Sequence, residues 1–146
     1  IDFSAHSRAA LLEASELAKC SRQPLLILHV IHDPADMPGY YGRLTKKKNL
    51  SRIEDLAREI FDQFLDDMRH RYPSAKPLQK ARKQLVLGLP VTRILEAAEN
   101  AGASLIVMGS QGRTGLEHLM LGSKAEQVVR LSPVPVMIVK DPNKGR

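Results

Sequence analysis

Four short apolar runs, separated by segments with helical spacing, constrain the fold of this chain most strongly. The runs are PLLILHVI (24–31), KQLVLG (83–88), ASLIVMG (103–109) and PVPVMIVK (133–140). The first is nearly continuous, without clean alternation, which is typical of a strand covered on both faces. Strands that alternate with helices predict parallel pairing and right-handed crossovers. We therefore expect an open α/β sheet with helices on both faces.

The segments between the apolar runs carry helix start and stop residues. Ser4 is a predicted N-cap, Ser51 with Glu54 forms a predicted capping box, and Pro90 and Gly102 suit the start and end of a third helix. The segment KAEQVVRLS (124–132) predicts a last helix before the final strand. The helix that starts at Ser51 is predicted to bury one apolar stripe, made of Ile53, Leu56, Ala57, Ile60, Phe64 and Met68.

The chain has 146 residues, which predicts one domain spanning 1–146. No apolar run approaches the roughly 20 residues that a membrane span requires, so we expect no membrane association. A single cysteine, Cys20, cannot form an internal disulfide; we interpret it as structural and expect a cytoplasmic protein. The opening IDFS is typical of a strand end running into a helix, so we expect the first strand of the sheet to be missing or truncated here.

The formal net charge of +6 favours anionic partners without selecting among them. Much of the positive charge lies in 46–48 and 80–83, which we interpret as solvated surface. Tyr40 and Tyr41 precede the first of these groups and are weak support for single-stranded nucleic acid, which we regard as an improbable partner.

A glycine-rich stretch, GSQGRTGLEHLMLGS (109–123), follows the third apolar run. In an open parallel sheet, ligands bind beyond the carboxyl ends of the strands, and glycine there permits close backbone approach. Gly122 and Ser123 precede the last helix, whose first N–H groups favour an anion. The spacing predicts two halves of one phosphate cradle. Arg113 and Lys124 would add charge, and Asp2 would accept from a ribose hydroxyl or help to hold a metal ion.

Simpler interpretations of these residues stay open at this point. Each glycine alone is compatible with a turn, Ser123 with a helix cap, and Arg113 with a solvent-facing position. The stretch is neither a Walker P-loop nor a G-x-G-x-x-G motif. His29 and His32 would diverge in a strand and have no further ligands nearby, so we predict no metal site, and we expect His118 to pack or to face solvent.

The run Gly109-x2-Gly112-x9-Gly122-Ser123 resembles the ATP-binding signature of the universal stress protein family, and the resemblance covers the whole chain. DFS (2–4), LLILHVI (25–31) and SPVPVMIVK (132–140) resemble the first helix start, second strand and last strand of that family. The resemblance implies an adenine nucleotide alpha-hydrolase-like fold with five parallel strands in the order 3-2-1-4-5.

The resemblance also implies a set of nucleotide-binding residues. Asp2 would lie near the adenosine, Val30 would contact the adenine through its backbone, and Met108 with Gly109 would lie on the sugar and base side. Ser110 and Gln111 continue the same loop. The phosphates would be surrounded by Gly112, Arg113, Gly122, Ser123, Lys124 and Ala125. At Ala125, ligand-binding members often carry a hydroxyl residue, so one phosphate contact would be weaker here.

The resulting hypothesis is an ATP-binding stress-response sensor or regulator, in which binding rather than turnover is the function. The cofactor would be ATP, ADP or AMP, with Mg²⁺ or Mn²⁺. We predict no catalytic residue, because the loop supplies no clear general base. A slow ATPase and a ligand-free dimeric scaffold are the alternatives. A homodimer through the last strand, Val134 to Lys140, follows from the resemblance and from the apolar sheet edge.

Overall fold

A computed structural model describes residues 1–32, 47–111 and 121–141 of the chain, and for 47–51 only the backbone. These residues form helices and strands in alternation. In chain order they are α1 (Ala5–Ser21), β1 (Leu26–His32), α2 (Lys47–Arg71), α3 (Lys76–Gln79), β2 (Arg82–Gly88), α4 (Pro90–Asn100), β3 (Ile106–Gly109), α5 (Ser123–Leu131) and β4 (Val136–Val139).

The strands form two parallel pairs. In the first pair, β1 lies beside β2, with Leu26 opposite Arg82 and His32 opposite Gly88. In the second, β3 lies beside β4, and Ile106 is opposite Val136. The predicted α/β class is thus confirmed, and each strand of a pair runs in the same direction. Within the described residues, the two pairs are separate two-stranded sheets.

The main hydrophobic core lies where α1 and α2 cover β1. Its fully or nearly buried members are Leu11, Ile27, Phe61, Phe64, Leu65, Met68, Ala75 and Leu78. Burial of each large member stabilises the fold by about 1.5–3 kcal/mol. Arg8 ties the two helices together at the rim, because its guanidinium contacts the Asp67 carboxylate at 2.7 Å and lies over the Phe64 ring.

Helix α2 differs from its prediction in its start and in its buried face. It begins at Lys47, so Ser51 lies inside the helix and the predicted capping box is wrong. Ile53, Leu56 and Ile60 are exposed by 38%, 57% and 40%. A helix of 25 residues is about 37 Å long, whereas a seven-residue strand spans about 23 Å. Only the second half of α2 can therefore lie over β1.

Other local predictions agree with the structure. The Ser4 hydroxyl caps α1 by accepting from the Ser7 N–H, Pro90 occupies the first turn of α4, and Gly102 follows that helix with φ +59°. Cys20 is a free, exposed cysteine at the end of α1, and its interpretation as structural stays a prediction. Within the described ranges, no helix is long and apolar enough to cross a membrane.

Candidate functional site

One cleft of about 580 Å³ runs between β1 and β3 and reaches their carboxyl ends, which we call its mouth. Ten of the twelve predicted site residues line it: Asp2, Val30, Met108, Gly109, Ser110, Gln111, Gly122, Ser123, Lys124 and Ala125. The other two, Gly112 and Arg113, lie outside the described residues, as do His118, Tyr40 and Tyr41. The fold thus collects in one place residues that are far apart in the sequence.

Asp2 is fixed at the mouth of the cleft by the first turn of α1. Its carboxylate oxygen Oδ1 accepts from the Ser7 hydroxyl at 2.6 Å and from the Ser4 N–H at 3.1 Å. Burial pushes the pKa of Asp2 upward, but the hydrogen bonds from Ser4 and Ser7 together outweigh it and hold that pKa below its ordinary value. Asp2 is therefore an oriented, ionised acceptor at neutral pH.

Phe3 holds the turn between Asp2 and α1 in a rarely used conformation. Its φ is +68°, in the left-handed region that residues other than glycine seldom adopt. Such a conformation persists only where packing enforces it. Here the Phe3 ring lies 4.3 Å from the His29 ring and 5.4 Å from the Phe64 ring, centroid to centroid. The aromatic cluster thus fixes the direction in which Asp2 enters the cleft.

The backbone of Val30 faces the cleft. Along a strand, successive residues direct their N–H and C=O groups to alternate sides. The Leu25 carbonyl accepts from Arg82 at the start of β2, whereas the Leu28 carbonyl accepts from the backbone nitrogen of Ile1. Even-numbered residues of β1 therefore direct their backbone N–H and C=O groups toward the cleft, and Val30 is the last residue of β1 that lines it.

Gly109 is required by close packing rather than by its backbone conformation. The described glycines with positive φ are Gly88 and Gly102, so Gly109 does not adopt the left-handed conformation. A Cβ atom there would lie 2.8 Å from His6 Cβ and 2.9 Å from the His6 carbonyl carbon. Glycine at this position lets the first turn of α1 touch the end of β3.

Ser110 joins the two halves of the predicted cradle. Its N–H donates to the Val139 carbonyl, and its own carbonyl accepts from the Gly122 N–H, both at 2.8 Å. This corrects one expectation, because the Gly122 N–H bonds to protein and is not free to meet a phosphate. The long spacing between the two glycine clusters is nevertheless explained, because Gly122 lies against Ser110 directly before α5 begins.

The amino end of α5 is open to the cleft. Gly122 is its N-cap and contributes no side-chain hydrogen bond. The first N–H groups of a helix have no partner within the helix, and the helix dipole is positive there. Ser123 and Lys124 are exposed in this turn, whereas Ala125 is buried. The arrangement suits an anion that accepts from the N–H groups of the first turn and meets the Lys124 ammonium.

His6 contacts the site residue Ser110, and the sequence did not reveal this histidine. It is only 6% exposed, and its Nδ1 atom lies 3.0 Å from the Asp141 nitrogen and 3.2 Å from the Ser110 hydroxyl. A single histidine in a helical segment carries no spacing signature, so the sequence offered nothing to find it by. No group of three or more His, Cys, Asp or Glu side chains suited to a metal ion occurs among the residues with described positions.

The fold and the cleft define an α/β protein with an anion-compatible site at the carboxyl ends of parallel strands. The chain matches the model of the universal stress protein family over residues 1–140, and it belongs to that family. It is 33% identical over 142 residues to the universal stress protein YxiE of Bacillus subtilis, covering 96% of this chain and 95% of that protein.

Two further relatives extend the likeness to solved structures. The universal stress protein MJ0577 of Methanocaldococcus jannaschii is 28% identical, covering 97% of this chain and 92% of that protein. Its structure aligns with a TM-score of 0.67 at 26% identity, covering 95% of this chain and 90% of that one. A universal stress protein solved in complex with cAMP aligns with a TM-score of 0.63 at 24% identity, covering 97% and 92%. It shares the fold.

Proposed function

We propose that this chain binds an adenine nucleotide and acts as a nucleotide-dependent regulator in the stress response. One observation carries the proposal: the hydrogen bond from the Gly122 N–H to the Ser110 carbonyl sets the carboxyl end of β3 beside the open amino end of α5. An anionic chain of phosphates matches such a site, because helix N–H groups and the helix dipole both favour negative charge.

The cleft offers a complementary place for the nucleoside. The ionised Asp2 is an acceptor for ribose hydroxyls, and the backbone of Val30 faces the side where a base would lie. Met108 lines the cleft between them. The polyphosphate would follow Gly109 to Gln111 and reach Ser123, Lys124 and the buried Ala125, with Gly112 and Arg113 completing the loop. The fold of the cAMP complex supports this choice, since that protein holds an adenine nucleotide.

A divalent ion would accompany the phosphates. Mg²⁺ is commonly bound through one or two carboxylates together with phosphate oxygens and water, so it needs no cage of protein ligands. As an alternative to the ribose contact, Asp2 fits that role, because the hydrogen bonds from Ser4 and Ser7 to Oδ1 orient its carboxylate. Mg²⁺ or Mn²⁺ bound there would neutralise phosphate charge.

We also propose a fifth strand between β1 and β3, which would give the order 3-2-1-4-5. It would fill the part of the cleft away from the mouth, where Leu26 and Leu28 direct their backbone groups inward, and leave the mouth beside Val30 to the nucleotide. On β3, the N–H groups of Ile106 and Ser110 pair with the β4 side, at Pro135 and Val139. The residues of β3 that alternate with these two therefore direct their backbone groups into the cleft from the β3 side. Apolar side chains of α1 and α4 also line it, including Leu11 and Ile94.

A homodimer through the last strand and a cytoplasmic location complete the proposal. On β4, Met137 is 37% exposed, and in the preceding helix Val129 and Leu131 are exposed by 46% and 58%. An apolar strand at a sheet edge tends to pair with another chain. The exposed, unpaired Cys20 thiol suits a reducing compartment.

Thermal unfolding with and without ATP and Mg²⁺, with phosphate release followed in parallel, tests the proposed function. ATP at a hundred times its Kd would add about 2.7 kcal/mol of stability, which raises Tm by about 10 °C. We expect that shift without steady phosphate release. A shift with continuous release would favour the slow ATPase instead, and an unchanged Tm would leave only the scaffold.

The fifth strand has its own test. A synthetic peptide of six Val and Ile residues between terminal lysines, added to the 146-residue chain, should raise Tm by pairing with both cleft edges. The same peptide with a central proline loses a backbone donor and should have little effect. Equal effects of the two peptides, or none, would argue against a strand in the cleft.

A further inference from the structure

We propose that His6 is a positioning residue of the nucleotide site, which holds the ends of β3 and β4 in place through its Nδ1 atom. The inference rests on the proposed nucleotide binding. His6 lies in the first turn of α1, Ser110 directly follows β3, and Asp141 lies just beyond β4. One buried ring atom therefore connects three elements at the mouth of the cleft.

The contacts of Nδ1 select one form of the imidazole ring. The Asp141 nitrogen is a backbone N–H and can only donate, so Nδ1 at 3.0 Å must accept. The Ser110 hydroxyl lies 3.2 Å from the same atom and is the longer of the two contacts to its single lone pair. A neutral ring that accepts at Nδ1 carries its hydrogen on Nε2.

Ser110 connects His6 to the residues that are predicted to surround the phosphates. The same residue accepts the Gly122 N–H at its carbonyl, so His6, Ser110 and the start of α5 form a continuous series of hydrogen bonds. At the other side, α1 holds Asp2 through Ser7. His6 thereby sets the distance between the ribose side and the phosphate side of the cleft.

Stability alone does not account for a histidine at this position. Its Nε2 atom is buried and makes no hydrogen bond within the described part of the chain. A buried donor without a partner destabilises a fold, and an apolar side chain of similar size would avoid that loss. Such a side chain cannot accept from Asp141, however. Nucleotide affinity and stability should therefore respond differently to substitution of His6.

Calorimetric titration with ATP and Mg²⁺, paired with thermal unfolding, separates these effects. We expect His6→Leu to weaken ATP binding at least about tenfold while Tm stays within about 4 °C of the wild type. His6→Asn should recover most of the affinity, because its Oδ1 can accept where Nδ1 does. His70→Leu, on an exposed histidine of α2, is the matched control and should change neither quantity.

An NMR measurement keeps the inference testable even if a variant fails to fold. Long-range ¹H–¹⁵N correlations of the wild-type imidazole should give the Nε2–H tautomer for His6, with or without nucleotide. An Nδ1–H tautomer, or unchanged ATP affinity in a folded His6→Leu variant, would overturn the role of His6. A wild-type chain that gives the Nε2–H tautomer but binds no ATP would contradict the proposed function, not the contact.

Discussion

The N–H of Gly122 donates a hydrogen bond to the carbonyl oxygen of Ser110 across 2.8 Å. This contact sets the carboxyl end of β3 beside the amino end of α5. It also explains why a glycine signature with long internal spacing can form one site. The intervening residues need only return the chain to the end of β3.

Substitution of Gly122 by proline tests this contact directly. Gly122 has φ −60°, close to the value that proline fixes, so the backbone tolerates the ring while the N–H is lost. We expect Gly122→Pro to lower ATP affinity about tenfold, whereas Gly122→Ala, which keeps the N–H, loses at most about threefold. Calorimetric titration of both variants is the measurement. Equal losses would show that the N–H is unimportant.

Gly109→Ala should destabilise the fold by about 1–3 kcal/mol, because its Cβ would press on the His6 backbone, which cannot move independently of α1. Gly102→Ala is the control: its Cβ meets nothing within 4 Å, and only the left-handed φ of +59° opposes it. That strain costs about 1 kcal/mol. Urea unfolding compares the two variants. A Gly109→Ala variant as stable as the wild type would contradict the close packing of α1 on β3.

Ser15→Ala should stabilise the protein by about 1 kcal/mol. The Ser15 side chain is 1% exposed, and its hydroxyl makes no hydrogen bond to any residue that the structure describes. Alanine removes that buried polar atom and is the better helix former. Ser21→Ala is the matched control, since the Ser21 hydroxyl donates to the Leu17 carbonyl at the exposed end of α1. A loss of stability in Ser15→Ala, measured by urea unfolding, would mean that the hydroxyl has a partner.

The stability contributed by Asp2 should depend on pH with a definite sign. Its folded-state pKa lies below the ordinary value of 3.8. Ionised Asp2 therefore stabilises the fold above that value, and the contribution is lost as pH falls through the folded-state pKa. We expect Asp2→Asn to lower Tm at neutral pH, with the difference from the wild type shrinking below 3.8. A difference that grows on acidification, in thermal scans across that range, would reverse the sign.

The sequence predicted the parts of the fold that depend on local pattern. The apolar runs became β1 to β4, and the caps at Ser4, Pro90 and Gly102 lie where their residue types favour them. The predicted start of α2 was wrong because the helix begins in a run of lysines. Lysine is a good helix former, but a run of lysines in a sequence also resembles a charged loop. The prediction that the whole apolar stripe of α2 is buried was wrong, because amphipathic spacing does not say how much of the sheet lies beneath a helix.

The site was predictable in its residues but not in its connections. Glycine spacing pointed to 109–123, and the fold brought Asp2, Val30 and Gly122 to the same cleft. The role of Ser110 as a junction depends on backbone groups, which every residue possesses. Likewise, the reason for Gly109 became clear only from its distance to His6. Contacts of this kind depend on tertiary packing and leave no local pattern in the sequence.

The measurement that tests the central claim most directly is an amide NMR titration of the 146-residue chain with ATP and Mg²⁺. The account predicts saturable shifts at Gly109, Ser110, Ser123 and Lys124, with a smaller response at Val30 and none along the exposed face of α2. Inorganic triphosphate should reproduce the shifts at Ser123 and Lys124 but not at Val30. Shifts confined to other surfaces, or no saturable shift at millimolar ATP, would contradict nucleotide binding in this cleft.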